Sequence, residues 1–133
     1  MSEVVNIEEI PCENGDGVIA KVTINRPDKL NSLNQEVIAA LKEMCSWAES
    51  TDSVRCIVIC GAGPNPPPEG KRQKPNAFVA GADITEFVGK RSEEIRETFT
   101  DNAIEAIWNL SKPTIAMVDG FALGGGCEVA CSC

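Results

Sequence analysis

The sequence predicts an α/β fold, and three observations carry that prediction. Apolar, β-branched stretches at residues 18–25, 54–60 and 114–118 alternate with segments whose apolar residues recur at helical spacing. The stretch 54–60 (VRCIVIC) follows a helical segment and ends at Gly61-Ala62-Gly63, as a buried parallel strand in a βαβ unit does. The length, 133 residues with 43% hydrophobic and 24% charged, is that of one ordinary globular domain able to bury a core.

Taken in order, residues 4–10 and 18–25 read as two strands. Asn14-Gly15-Asp16-Gly17 between them tolerates positive φ and suits a hairpin turn. Arg26-Pro27 ends the second strand. Asn34 is a good N-cap, with Gln35 and Glu36 in the first turn, where negative charge suits the helix dipole. Val37, Leu41, Met44, Cys45 and Ala48 then form one apolar face. Residues 64–75 (PNPPPEGKRQKP) hold five prolines and three basic residues, so they predict an exposed insertion loop. Ala77-Phe78-Val79 resumes a strand. Residues 92–110 predict one helix, with Ser92 as N-cap and Ile95, Phe99, Ile104, Ile107 and Trp108 on its apolar side. Lys112-Pro113 breaks it, 114–118 predicts another buried strand, Asp119-Gly120 turns, and Gly124-Gly125-Gly126 opens a last helix.

The net charge of −8 argues against unaided binding to nucleic acid or to an anionic membrane. The chain holds no apolar run long enough to span a bilayer, and Met1-Ser2-Glu3 is unlike a signal or transit peptide. Seven cysteines without a histidine offer neither a C-x-x-C pair nor an even count for disulfides. Reduced thiols filling the core, in a cytoplasmic protein without a metal, are the expectation.

Two segments need glycine for backbone geometry. One is Ala80-Gly81-Ala82-Asp83, and the other runs from Gly120 through Gly124-Gly125-Gly126 to Cys127-Glu128. Consecutive glycines at a helix start cost stability, and a chain tolerates them where something approaches the backbone closely. Free N–H groups in a helix's first turn suit an anion or a developing oxyanion. Glu128, three residues after Gly125, falls on the same helix side and could serve as acid or base beside an activated carbonyl. The residues alone leave two plainer readings open: a surface glutamate favoured by the dipole, and glycines serving tight helix–strand packing.

NAFVAGADITEF, followed by KPTIAMVDGFALGGGCEVACSC, is similar to the paired signature of enoyl-CoA hydratases. INRPDKLNSLNQEV resembles the family's entry into its first helix. The match extends over nearly the whole chain except the Pro-rich loop. The resemblance implies a crotonase (ClpP/crotonase-like) spiral of ββα units, of which residues 1–133 would be the N-terminal portion. It implies that the N–H groups of Ala82 and Gly125 form an oxyanion hole, with Glu128 the first of two catalytic glutamates. Lys29, Leu30, Ser32, Ala80, Ala82, Asp83, Ile84 and Gly125 would line the CoA site, mostly through backbone contacts. The implied reaction is reversible hydration of a short-chain 2-enoyl-CoA to a 3-hydroxyacyl-CoA, with no metal, redox cofactor or covalent nucleophile. Cys127, with no histidine to activate it, reads as packing.

The resemblance also implies a longer protein. The second glutamate, the cover of the acyl pocket and the contacts of a dimer of trimers would come from a C-terminal half supplied as a further segment. Lys71, Arg72 and Lys74 read as a solvated loop, or as reaching CoA phosphates. The competing readings are an enoyl-CoA isomerase or another crotonase-fold acyl-CoA enzyme, and a non-catalytic acyl-CoA-binding or assembly subunit. A nucleotide-binding Rossmann unit is disfavoured because Val129 occupies the third glycine position.

Overall fold

The computed structural model describes residues 3–100 and 102–133; the side chains of Phe99 and Thr100 lie outside the described residues. Strands β1 (Val5–Pro11) and β2 (Val18–Ile24) pair antiparallel from Val5↔Ile24 to Pro11↔Val18. The turn between them needs Gly17, at φ 87°, because a Cβ there would meet the Ser53 carbonyl oxygen at 2.4 Å. Helix α1 (Gln35–Ser50) starts where predicted, the Asn34 side chain accepting from the Val37 N–H at 2.9 Å. Its far end is held by Lys112, whose ammonium donates to the carbonyls of Ala48 and Thr51.

Strand β3 (Val54–Gly61) lies parallel to β2, and β5 (Thr114–Met117) parallel to β3, giving the sheet order β1-β2-β3-β5. A second sheet pairs β4 (Ala77–Val79) with β6 (Phe121–Ala122), a strand too short to read from the sequence. The apolar face of α1 packs on the first sheet, and Ile24, Leu41, Met44, Ile57, Ile59 and Phe78 are fully buried. Each contributes about 1.5–3 kcal/mol by leaving water.

The single helix expected over residues 92–110 is two. Helix α2 (Ser92–Thr100) and helix α3 (Ala103–Trp108) are separated by Asn102, whose extended backbone and side chain, accepting from the Ile104 N–H at 2.9 Å, start a new helix. Trp108, expected on the apolar side, is 70% exposed, while Ile107 is buried. Strand β5 is not buried as expected: it is the sheet's edge, with Ile115 and Met117 about half exposed. The cysteines are only partly core-filling. All seven are free; Cys45 and Cys60 are buried, but Cys127 and Cys131 face outward on α4 (Gly125–Ser132). Burial pushes the Cys45 thiol up to about 11. No helix among the described residues is long and apolar enough to cross a membrane.

Candidate active site

The turn after β2 is organised by one amide. Leu30 and Asn31 both take left-handed φ values, 51° and 55°, and Asn31 is completely buried. Its Nδ2 donates to the carbonyls of Ala62 (3.0 Å) and Ala77 (2.8 Å), and its Oδ1 accepts from the Arg26 N–H (2.9 Å). One side chain thus joins the end of β3, the start of β4 and the turn itself. The Arg26 guanidinium donates to the Ser32 carbonyl at 2.8 Å and pairs with Asp83 at 3.0 Å. The Thr85 hydroxyl, donating at 2.6 Å, and the Arg26 guanidinium hold the buried Asp83 carboxyl below the usual carboxylate range, against the opposing effect of burial.

These contacts fix residues 80–83. The Leu33 N–H donates to the Gly81 carbonyl and the Asp83 N–H to the Leu33 carbonyl, both at 2.8 Å, forming an isolated parallel bridge between Leu33 and Ala82. In such a bridge the residues flanking Ala82 make the bonds, so the N–H of Ala82 itself points away from Leu33. No backbone carbonyl among the described residues accepts it.

The three consecutive glycines have three different reasons. Gly124, at φ 52° and ψ −120°, makes the turn into α4. Gly126 is packing: a Cβ there would lie 1.9 Å from the Val79 carbonyl oxygen. Gly125 opens the helix. The N–H of Gly126 donates to the Leu123 carbonyl and that of Glu128 to the Gly124 carbonyl, whereas that of Gly125 has no backbone acceptor among the described residues.

Ala82, Gly125 and Glu128 meet on one cavity of about 390 Å³. Leu33, Ile38, Phe87 and Ile104 make its apolar wall, and Thr98 and Asn102 add polar groups. Glu128 is exposed at its edge. Two N–H groups without backbone partners, an apolar wall and a carboxylate can together hold an oxygen that gains negative charge and move a proton beside it.

The other expected site residues lie outside this cavity. Lys29 and Ile84 are exposed; the Leu30 carbonyl accepts from the Ala80 N–H at 3.1 Å; Ser32 and Asp83 are held by Arg26. Arg26 and the Leu30 carbonyl thus hold the turn after β2 against residues 80–83. Sequence reasoning missed Glu86, a second carboxylate on the cavity, which accepts from the Gln35 N–H at 3.1 Å and so caps α1. It also missed Asn102, whose signal was a helix-capping residue inside an otherwise helical pattern.

The family profile described as enoyl-CoA hydratase/isomerase matches residues 14–133. The chain is 38% identical over 120 residues to the short-chain-enoyl-CoA hydratase of Clostridium acetobutylicum, covering 89% of this chain and 42% of that protein. It is 34% identical over 117 residues to the crotonyl-CoA hydratase of Syntrophomonas wolfei, covering 86% and 41%. The crystal structure of an enoyl-CoA hydratase from Bacillus anthracis superposes with a TM-score of 0.81 at 26% identity, over 98% of this chain and 45% of that one. The chain therefore spans about two fifths of the length of these curated relatives.

Proposed function

Because the chain belongs to the enoyl-CoA hydratase/isomerase family, with the crotonase fold's N-terminal portion as its architecture, we propose that it forms part of an enzyme that reversibly hydrates a short-chain 2-enoyl-CoA. The observation that carries this reading is the meeting of Ala82, Gly125 and Glu128 on one cavity, with both N–H groups free of backbone acceptors among the described residues.

In this reading the two N–H groups hold the thioester oxygen. They draw electron density from the C2=C3 double bond, and the oxygen carries the enolate charge as water attacks C3. The new C3–O bond takes the water oxygen. One water proton passes to a carboxylate, and C2 receives a proton as the enolate collapses to the thioester. Glu128 shares that proton traffic with a second glutamate, brought by polypeptide beyond the described residues. The sequence of transfers needs no metal and no redox cofactor. Residues 29–32 and 80–84 carry the CoA arm past the cavity mouth, mainly through backbone groups.

Ile115, Met117, Val118, Phe121 and Leu123 are each about half exposed. Together with the coverage of about two fifths of the relatives, they support further polypeptide of the same fold closing this face; the hexamer, a dimer of trimers, is proposed from the family resemblance alone. Free thiols suit a reducing, cytoplasmic setting.

The test is turnover by the full-length protein carrying this segment, offered crotonyl-CoA and, separately, a 3-enoyl-CoA. Hydration of the first with Ala82 and Gly125 N–H resonances shifted by a bound product thioester supports the reading. Exclusive turnover of the 3-enoyl-CoA to the 2-enoyl isomer assigns the same site to isomerisation instead.

A further inference from the structure

The direction of the Ala82 N–H depends on a glycine. That N–H belongs to the Gly81–Ala82 peptide plane, and in a trans peptide it points opposite to the Gly81 carbonyl. Gly81 sits at φ 124° with room for a Cβ, the nearest atom being the Leu123 carbonyl oxygen at 3.5 Å. The glycine is therefore there for its backbone angle, and the same freedom lets the plane turn unless something else holds it. One hydrogen bond aims it directly: the Leu33 N–H donates to the Gly81 carbonyl at 2.8 Å. The donor is only as well placed as Leu33 is against residues 81–83.

Glu86 closes that contact into a ring. It lies in a single 3-10 turn over Ile84–Phe87, which Asp83 starts by accepting from the Thr85 N–H at 3.1 Å. The Glu86 N–H donates back to the Asp83 carbonyl at 3.2 Å, and Glu86 Oε1 accepts from the Gln35 N–H at 3.1 Å. Gln35 is the first residue of α1, two positions from Leu33. The ring runs from Leu33 to Gln35, across to Glu86, and back along the turn to Asp83. It closes where the Asp83 N–H donates to the Leu33 carbonyl at 2.8 Å. Ala82 hangs between the two bonds that Leu33 makes, so slack anywhere in the ring reaches its N–H. A carboxylate at the start of a 16-residue helix also gains from the dipole, which strengthens this tie. Phe87, in the same turn, forms part of the cavity's apolar wall and is placed by the same ring.

We propose that Glu86 is a positioning residue: by tying the 3-10 turn to the start of α1, it keeps the Ala82 N–H aimed into the cavity, and it transfers no proton itself. The proposal rests on the reading of the cavity as a thioester site. It is tested in the full-length protein with three variants. Glu86→Ala removes the acceptor. Gln35→Pro removes the donor; proline is favoured at the first helical position, and Asn34 already has the extended backbone that precedes a proline, φ −111° and ψ 177°. Glu86→Gln keeps an acceptor oxygen but cannot take up a proton. Glu86→Ala and Gln35→Pro should each lower kcat for crotonyl-CoA about tenfold or more, with KM within about twofold. Their combination should cost no more than either alone, and Glu86→Gln should keep kcat within about twofold of the wild type. With bound butanoyl-CoA, a saturated thioester, the infrared carbonyl stretch should fall in the wild type and in Glu86→Gln, and fall less in the other two. Loss of kcat in both Glu86 variants with Gln35→Pro unaffected would make Glu86 a proton-transfer group and overturn the proposal. Wild-type kcat in Glu86→Ala and Gln35→Pro would leave Glu86 a helix cap only, and overturn it equally. If the wild type neither turns over crotonyl-CoA nor shifts the butanoyl carbonyl, the reading of the cavity fails instead. Hydrogen exchange at the Leu33 and Asp83 amides then decides the ring: it should be faster in Glu86→Ala and Gln35→Pro, and rates equal to the wild type overturn it.

Discussion

Asn31 and Glu128 stand at opposite ends of what one residue can do here. Asn31 satisfies two carbonyls and one N–H that would otherwise be buried without partners. Asn31→Ala should therefore destabilise by about 2–4 kcal/mol, read as a lowered denaturant midpoint at unchanged slope. Glu128 is exposed and structurally idle, so Glu128→Gln should leave the melting temperature within a degree or two. In the full-length protein it should lower kcat for crotonyl-CoA hydration by ~10² or more. A kcat near the wild type would return Glu128 to a dipole-favoured surface residue. Asp83 gives a pH signature. Its folded-state pKa is depressed, so its contribution to stability is complete above the unfolded carboxylate range and is lost as pH falls toward the folded value. Wild type and Asp83→Asn should differ in urea midpoint at pH 7, and the gap should shrink in acid; a gap independent of pH would show that packing alone is at stake.

At the level of elements, periodicity made most of the frame legible. β2 and β3 are strands where their apolar, β-branched runs placed them, and the α1 face buries Val37, Leu41, Met44, Cys45 and Ala48 as their spacing required, although Arg55 in β3 is exposed and Cys56 and Val58 are only half-buried. The break between α2 and α3 was not legible, because apolar residues continue on both sides of Asn102 and only its side chain decides the matter. The exposure of β5 was hidden because composition reports what a strand could bury, not whether a neighbour covers it. Asn31 was invisible for another reason: its partner Ala77 lies 46 positions away, beyond any local pattern. Three adjacent glycines look alike in sequence, and only their surroundings separate turn, donor and packing. That separation is measurable. Gly126→Ala should force α4 off β4 and cost about 1–3 kcal/mol or more of stability, whereas Gly125→Ala meets only the end of the Leu33 side chain at 3.1 Å. Equal thermal shifts for the two would show that α4 is not seated by Gly126.

Over the whole molecule, β5, β6 and their connection carry a run of half-exposed apolar residues, Ile115, Met117, Val118, Phe121 and Leu123. Residues 1–133 produced alone should bind a hydrophobic dye and unfold over a broad range, and the full-length protein should do neither. A sharp, dye-free transition for the short chain would show that this half needs no cover. The buried half behaves differently, and Val79 shows why. Its carbonyl accepts from the Leu123 N–H at 3.1 Å, and it stands where a Cβ on Gly126 would collide. Val79 also lies three residues before Ala82. The segments bearing the two donors are thus referenced to a single atom of a single strand, as the jaws of a caliper share one rail. Thermal breathing that carries Val79 moves both jaws together, so the gap between them persists even while the surrounding surface fluctuates. The slowest amide to exchange near the cavity should then be that of Leu123, although its own side chain is about half exposed.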